Sequence, residues 1–363
     1  MKMHRKLAAL LGGAALAAGL VACGGGYGGG NDGYHPPPAV ATKFAATALV
    51  SDGAIAASHT DAKLVNPWGL AFNPTGYVWV ANNGTDSSTL YDGNGVPQSL
   101  VVTTPAGPTG IVYNGSQDFM VTQNAISGPS RFIFVTQAGT LSGWSPAVNQ
   151  NAALTVVPAG GPTGPLYQGL AIGAYAGANY LYAADFRHNA VDVYNATFTK
   201  VTLPGVFHDM ALPAGYAPFG IQGIADRIYV AYAKQDASGS EEVTGAGLGI
   251  INVFDSGGVF IKRLVTGGAL NAPWGMALAP GNFGSFSGDL LVANFGDGKI
   301  NAYRPSGHLD GTLSKTDGTP IAIDGLWGIA FGNGINAQPR NTLFYTAGPQ
   351  DEAHGVYGRI DMQ

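Results

Sequence analysis

A short segment that recurs six times along the chain constrains the fold more than any other feature. Each copy begins with an aromatic or polar residue, continues with glycine and ends in apolar residues. The copies start at Trp68, Thr109, Gln168, Phe219, Trp274 and Trp327. Their average spacing of about 52 residues is typical of propellers and solenoids. A helical repeat is not expected, because the chain shows no amphipathic window with a helical period after its N-terminal segment.

Strand-like runs separated by turn-forming residues follow these copies. In the first repeat the runs are 77–81 and 88–91, with Asn83-Gly84 between them, which is typical of a hairpin. A less regular run, such as 260–264, closes each unit. Four antiparallel strands in each of six repeats predict an all-β fold, a six-bladed β-propeller with four-stranded blades.

The two ends of the repeat region predict how the ring closes. The last repeat ends with the run 356–360 and has no fourth strand, whereas the run 44–50 precedes the first repeat. We expect this N-terminal strand to complete the sixth blade, so that no long strand edge is left open. The glycine of each copy suits the crowded axis, where a side chain on an innermost strand would clash.

The N-terminus has the pattern of an export signal. A basic start is followed by the apolar run 7–22, which is short for a transmembrane helix. The run ends in Leu20-Val21-Ala22-Cys23, which resembles a bacterial lipobox. The prediction is a signal peptide over 1–22, cleavage before Cys23 and lipidation of that cysteine. The alternative interpretation is that Cys23 is an incidental cysteine beside an ordinary signal cleavage site.

The remaining domain organisation follows from composition. Residues 23–43, which comprise the lipidated cysteine and a segment rich in glycine and proline, read as a flexible tether, and 44–363 as the propeller. Several acyl chains anchor a protein stably to a bilayer. Gly24 follows Cys23 where inner-membrane lipoproteins typically carry aspartate, so the resemblance to Gram-negative lipoproteins favours the outer membrane.

Charge and cysteine content exclude several classes of function. The chain has 17 basic and 22 acidic residues, and removal of Lys2, Arg5 and Lys6 with the signal leaves 14 basic residues and a net charge of −8. This balance argues against a nucleic-acid partner and against electrostatic attraction to anionic lipid. Cys23 is the only cysteine, so no disulfide can form within one chain.

Several motifs resemble a known family. Asn66-Pro67-Trp68-Gly69-Leu70, Tyr182-Ala183-Ala184-Asp185-Phe186 and Ala272-Pro273-Trp274-Gly275-Met276 are similar to segments of an NHL-repeat-like, six-bladed propeller family of exported, uncharacterised bacterial proteins. The resemblance covers residues 64 to 361. It implies the fold and export, and it implies no reaction.

The repeats also predict where a ligand site lies. In a propeller of this kind, one face carries the connections into the innermost strands and those between the second and third strands. The candidate residues on that face are Trp68, Asn82, Asn83, Gln168, Asp185, Arg187, His188, Trp274, Asn294, Asp297, Trp327 and His354. The same loops supply further polar residues, among them Gln123, Asn124, Glu241, Glu242 and Glu352.

Two interpretations of these residues stay open. Oxygen donors from several blades would suit Ca²⁺, and His188 with His354 would be a candidate metal pair. Asn, Asp and Gly are also the residues that tight turns require, and the three tryptophans would equally serve packing between blades.

The sequence therefore supports two functional hypotheses. The first is a membrane-anchored binding or scaffold module of the cell envelope, which presents its loops to a glycan, a small ligand or an envelope protein. The second is a Ca²⁺-dependent hydrolase resembling six-bladed lactonases, although the inner-strand positions here are Trp, Thr, Gln and Phe rather than the Glu and Asn/Asp set of that architecture.

Overall fold

The computed structural model describes residues 42–363. These residues form six small blade sheets, a separate two-stranded hairpin, two short 3-10 helices at Asn83–Thr85 and Gly284–Phe286, and no α-helix. The prediction of an all-β, six-bladed propeller is confirmed. Cys23 and most of the expected tether lie outside the described residues.

The first three blades follow the N-terminal strands β1 (Phe44–Ser51) and β2 (His59–Thr60). Blade 1 consists of β3 (Pro67–Phe72), β4 (Val78–Asn82), β5 (Ser87–Tyr91) and β6 (Pro97–Thr103). Blade 2 contains β7 (Pro108–Tyr113), β8 (Met120–Gln123), β9 (Ile126–Pro129), β10 (Phe132–Thr136), β11 (Leu141–Trp144) and β12 (Leu154–Val157). Blade 3 consists of β13 (Tyr167–Tyr175), β14 (Ala178–Asp185), β15 (Ala190–Asn195) and β16 (Lys200–Val201).

The other three blades complete the ring. Blade 4 contains β17 (Tyr216–Ile224), β18 (Arg227–Gln235), β19 (Glu242–Val243), β20 (Ile250–Asp255) and β21 (Phe260–Thr266). Blade 5 consists of β22 (Pro273–Leu278), β23 (Leu290–Asn294), β24 (Ile300–Tyr303) and β25 (Leu309–Thr312). Blade 6 takes β26 (Leu326–Phe331), β27 (Leu343–Ala347) and β28 (Val356–Met362) from the C-terminus and β1 from the N-terminus.

The ring closes as the sequence predicted. Strand β1 pairs antiparallel with β28, from Phe44 opposite Met362 to Ser51 opposite Val356. The short strand β2 extends the same sheet in parallel with β1. The first and last strands of the described chain thus belong to one blade, and separating them would expose the edge of β28.

The glycines of the repeated motif lie where neighbouring inner strands touch. A Cβ atom on Gly220 would overlap the carbonyl oxygen of Trp274, and one on Gly328 would meet Trp68 of the first blade. The same relation to the next blade holds for Gly69, Gly110, Gly169 and Gly275, although the contact at Gly169 is looser. Glycine is therefore required at the axis because the next inner strand occupies the space of its side chain, as expected.

The apolar core lies between the blades. Alternate side chains of each strand point to the two faces of a blade, and each face packs on the neighbouring sheet. Between blades 1 and 2, for example, Trp79 stacks on Phe132 with ring centroids 4.1 Å apart and also contacts Trp144. Such aromatic pairs each contribute about 0.5–1.5 kcal/mol beyond the burial of their area.

Blade 2 departs from the predicted placement of two residues. Gln123 and Asn124 lie at the turn of a hairpin, β8–β9, which is inserted between the first and second strands of this blade. The loop between its second and third strands is instead 137–140. The placement of Gln123 and Asn124 on the ligand face was wrong, because the extra hairpin has the same strand-and-turn pattern as the hairpin that belongs to the blade.

Candidate functional site

One face of the propeller carries both sets of connections named above, and we call it the loop face. Pro67, at the start of an inner strand, pairs with Asn82, at the end of the second strand, and Pro273 pairs with Asn294 in the same way. The connections into the inner strands and those between the second and third strands therefore share one edge of each sheet. The first-to-second and third-to-fourth connections share the other edge, which we call the opposite face.

An aromatic cluster closes the axis near the loop face. Trp68 stacks on Trp327 with centroids 3.6 Å apart, and Trp274 meets both rings edge-on. Phe219 and Phe295 pack on Trp327 from other sides. Trp68 is only 2% exposed and Trp327 is fully buried. We call this set the aromatic plug; it packs the blades together, and the stacked rings of Trp68 and Trp327 are closed to a ligand.

Gln168 belongs to the same layer. It is buried, and its backbone carbonyl oxygen accepts a hydrogen bond of 2.9 Å from Nε1 of Trp274. The Gln168 Oε1 atom and the Nε1 atoms of Trp68 and Trp327 are buried without a hydrogen-bond partner among the described residues. The plug is therefore tightly packed but not fully satisfied in its polar atoms.

Asn82, Asp185 and Asn294 occupy equivalent positions at the ends of β4, β14 and β23. All three are buried, and their side chains bond nearby loops. Asp185 accepts from the backbone N–H of Leu166, and Asn294 donates to the carbonyl oxygen of Ala269. Asn82 donates to the hydroxyls of its own hairpin. These contacts match the interpretation of the three residues as builders of turns.

Other candidates also make local contacts. Arg187 donates from Nη1 to the carbonyl oxygen of Gly164 at 2.7 Å, and Asp297 lies 3.2 Å from the ammonium of Lys299. Asn83 is part-buried and contacts the side chain of Gln137 across the boundary between blades 1 and 2. These residues tie neighbouring loops together on the loop face.

The two histidines do not form a pair. His188 Nδ1 lies 2.6 Å from an Asp185 carboxylate oxygen, and His354 Nδ1 lies 2.7 Å from one of Asp52. Each imidazole is thus oriented by its own carboxylate, in blades 3 and 6 respectively. Within residues 42–363 no group of three or more His, Cys, Asp or Glu side chains is arranged to hold a metal ion.

The long connection between the second and third strands of blade 4 contacts the connection that leads into blade 5. We call residues 236–249 the blade 4 arm. Its backbone bonds the connection into blade 5, since Gly247 donates to Leu270 and Ala272 donates to Leu248. The side chain of Asn271 also accepts a hydrogen bond from the arm. Glu242 itself pairs with Gln235 at the end of β18, so the acidic residues of the arm lie at the loop-face edge of blade 4.

Carboxylates from two blades meet there. Burial, helped by the nearby charges of Glu352, Glu241 and Asp236, raises the pKa of Glu242 in the arm to about 8. Burial also raises the pKa of Glu352, in blade 6, against a hydrogen bond from Asn66. Neither Glu242 nor Glu352 forms an ion pair with a Lys, Arg or His of the described chain. Two half-buried carboxylates therefore stand together without a compensating cation.

Asn66 connects this pair to the base of the loop face. Only 5% of Asn66 is exposed, and its Nδ2 donates a hydrogen bond of 2.9 Å to Glu352 Oε2. Its Oδ1 atom is buried and has no hydrogen-bond partner among residues 42–363. Its φ of 44° lies in the left-handed region that Asn tolerates better than most residues. We call Asn66, Glu242 and Glu352 the acidic site.

Sequence reasoning named two members of the acidic site without joining them. Glu242 and Glu352 were placed on the loop face, but nothing in a single repeat shows that the loops of blades 4 and 6 bring these two carboxylates together. Asn66 appeared only within a family motif. Its position before Pro67 in the connection to the first inner strand is the signal that places it on the loop face.

A funnel opens along the axis on the opposite face. Its volume is about 380 Å³, and its wall includes Leu70, Ile111, Met276 and Ile329 from four inner strands. Gln222 is the polar side chain at this wall. None of the ligand-site residues predicted from the sequence lines this funnel. No helix within residues 42–363 is long and apolar enough to cross a bilayer.

The sequence has relatives in a giant virus. It is 34% identical over 324 residues to an uncharacterised protein of Acanthamoeba polyphaga mimivirus, covering 86% of this chain and 78% of that protein. A second uncharacterised protein of the virus is also 34% identical over 324 residues, covering 86% and 84%. The chain belongs to the family of these viral proteins. No protein-family model matches it. These relatives of the propeller are viral, whereas the resemblance noted in the sequence pointed to bacterial proteins.

Solved structures resemble the chain in fold. A streptogramin B lyase has a TM-score of 0.49 and 13% identity, covering 89% of this chain and 98% of that one. A gluconolactonase from Xanthomonas campestris has a TM-score of 0.49 and 12% identity, covering 83% and 87%. Their reactions are properties of those proteins.

Proposed function

We propose that the protein is a binding module whose loop face recognises a ligand that carries a positively charged group. The observation that supports this is the acidic site, where Glu242 and Glu352 from two blades share a half-buried position without a cation. An ammonium or guanidinium group placed between them would relieve their repulsion and allow both to ionise. The buried Oδ1 of Asn66 adds an acceptor that lacks a donor.

The loops of the loop face are held rigidly, which favours binding of a ligand without a change in loop conformation. The aromatic plug and the buried clamps at Asn82, Asp185 and Asn294 hold the loops on a packed base. A preorganised site loses little conformational freedom on binding, which favours affinity. The net negative charge of the mature chain would also attract a cationic ligand over long range.

Export and anchoring complete the proposal. We propose that Cys23, outside the described residues, is lipidated and holds the protein to a membrane of the cell envelope, with the outer membrane favoured. Phe44 lies at the opposite face, because it pairs with Met362 at the far end of β28 from the loop face. A tether that joins the propeller there would leave the loop face free to meet a ligand.

Calorimetric titration with two matched peptides tests the ligand class. Tetralysine is the probe, and its fully Nε-acetylated form has the same backbone without the charges. We expect tetralysine to bind at least about tenfold more tightly, since hydrogen bonds between charged groups are worth about 1.5–3 kcal/mol. Glu242→Gln and Glu352→Gln should each remove most of this preference.

The control variant is Asp226→Asn on the opposite face, where the carboxylate is exposed and lies beside Arg227. It should bind tetralysine like the wild type. Equal binding of both peptides, or an unchanged preference in both glutamine variants, would contradict the proposal. A preference for Ca²⁺ at the same site, displaced by a chelator, would instead support the hydrolase hypothesis.

Anchoring is tested separately by fractionation of a bacterial host. The wild-type chain should sediment with membranes, and Cys23→Ala should move into the soluble fraction. Continued sedimentation of Cys23→Ala would show that another part of the chain holds the membrane.

A further inference from the structure

An open cavity lies beside blade 6, and no residue of the acidic site lines it. Its volume is about 440 Å³, within the range of small-molecule pockets. Its walls are formed by β1, β27 and the connection 313–325 from blade 5. The apolar wall includes Ala48, Ile55, Ile321 and Ile323. We call this cavity the blade 6 pocket.

Small residues in adjacent strands create the space. Tyr345 in β27 pairs with Gly358 in β28, and Gly358 pairs with Ala48 in β1. A Cβ atom on Gly358 would overlap the phenol ring of Tyr345, so the ring lies across this glycine. The alanine beyond it does not fill the outer part of the sheet. The pocket therefore exists because the strand that closes the ring carries Ala where a larger residue would pack.

The phenol of Tyr345 supplies a polar group to this apolar wall. The residue is only 4% exposed and lines the pocket. Burial raises the pKa of its hydroxyl, and no hydrogen bond or charge contributes to that shift. The hydroxyl donates to no acceptor within residues 42–363. A neutral O–H at the wall of a cavity, without an acceptor from the protein, is a group to which a ligand can supply an acceptor.

The mouth of the pocket carries charges of both signs. Lys315 and Asp324 lie at its rim, and Asp324 accepts a hydrogen bond of 2.9 Å from the backbone N–H of Gln350. Opposite charges at the rim favour neither a cation nor an anion inside. The chemistry of the pocket thus selects an uncharged molecule.

We propose that the blade 6 pocket binds an uncharged, apolar molecule of about the size of one substituted ring, with a carbonyl oxygen that accepts a hydrogen bond from Tyr345. None of its lining residues belongs to the acidic site, although Pro349 and Gln350 lie in the same loop as Glu352. Its occupant would pack against Ile55, Ile321 and Ile323 and would stabilise β1, the strand that closes the ring.

Two isosteric probes test the proposal on the full mature chain. Acetophenone presents a carbonyl oxygen, and α-methylstyrene has a methylene group in its place. Titration followed by nuclear magnetic resonance should show acetophenone binding about three- to tenfold more tightly, as one added hydrogen bond predicts. Tyr345→Phe should abolish this difference and leave the affinity for α-methylstyrene unchanged.

A filling substitution tests the location. Ala48→Leu should weaken both probes at least about tenfold by occupying the pocket, and Ala178→Leu on an exposed part of blade 3 should weaken neither. If Ala48→Leu does not fold, the comparison of Tyr345→Phe with the wild type still decides. No binding of either probe to the wild type, or a carbonyl preference that survives in Tyr345→Phe, would overturn the proposal.

Discussion

At the residue scale, the glycines of the repeated motif decide how closely the inner strands approach. Gly220 shows this most sharply, because its missing side chain makes room for the backbone of Trp274 in the next blade. A backbone neighbour cannot move aside as a flexible side chain can. A methyl group at Gly220 can therefore be accommodated only if one blade shifts relative to the next.

Gly220→Ala is expected to lower the free energy of unfolding by about 1–3 kcal/mol or more, as overpacking in a dense core does. The matched control is Gly281→Ala, where no atom lies within 4 Å of the added Cβ. Denaturant titration measures both. A Gly220→Ala variant as stable as Gly281→Ala would show that the inner strands are not in contact.

The pKa of Glu242 gives a second prediction at this scale. The pKa in the folded state, about 8, lies above the ordinary value of 4.5. The stability contributed by this group is therefore full below about pH 4.5 and is lost as the pH rises through about 8. Glu242→Gln, which stays uncharged, should match the wild type in thermal stability near about pH 5 and exceed it near about pH 9.

Asp226→Asn provides the comparison for that series, since its carboxylate is exposed on the opposite face. Its stability relative to the wild type should change little over the same pH interval. A Glu242→Gln variant that gains nothing in alkaline solution would mean that the carboxylates of the acidic site are fully hydrated.

The sequence predicts the roles of some loop-face residues and not of others. The roles of Asn82 and Asp185 in turns follow from local chemistry, because a short polar side chain at the end of a strand bonds the next few residues. The coupling of Glu242 to Glu352 depends on the distance between the loops of blades 4 and 6. That distance is a property of tertiary packing and has no local signature.

At the element scale, the strand β1 holds the ring closed. Its Phe44, Leu49 and Val50 are buried in blade 6 and its neighbours. Burial of each such side chain contributes about 1.5–3 kcal/mol, and a domain is stable by only about 5–15 kcal/mol. The loss of this one strand therefore removes much of the stability of the whole fold.

A chain that begins at Thr42 should fold, and one that begins at Asp52 should aggregate or unfold. Circular dichroism and size-exclusion chromatography distinguish these states. If the chain lacking β1 melted cooperatively at the same temperature as the longer one, the closure of blade 6 by β1 would not contribute to stability.

Elements also show where repeat reasoning failed. Alternation and turn residues predicted strands and hairpins correctly as local units, and the hairpin β8–β9 has these features as well. The sequence pattern does not distinguish a strand of the blade from a strand of an inserted hairpin. The two kinds differ in which strand they pair with, and pairing is a long-range property.

At the scale of the whole molecule, the fold could be predicted because six weak signals recur in one order. A single copy of the motif specifies little, but its regular spacing excludes most other architectures. The same regularity placed most candidates on the loop face. It could not reveal the blade 6 pocket, which arises where the two ends of the chain meet and the repeat is broken.

The orientation of the anchored molecule is a prediction at this scale. The described chain begins on the opposite face, so a fluorophore at Asp226→Cys should transfer energy to a dye in the bilayer more efficiently than one at Ser238→Cys in the blade 4 arm. Resonance energy transfer in vesicles carrying the lipidated protein measures this order. Equal transfer from both positions would contradict attachment of the anchor at the opposite face.

The measurement that bears most directly on the proposed function is the pKa of Glu242 with and without tetralysine. Carbon-detected magnetic resonance of the labelled carboxyl group follows its titration in both states. The account predicts a pKa of about 8 in the free protein, and a shift towards or below the ordinary range of glutamate once the cationic probe fills the acidic site. A pKa that is the same in both states would contradict recognition of a cation by the loop face.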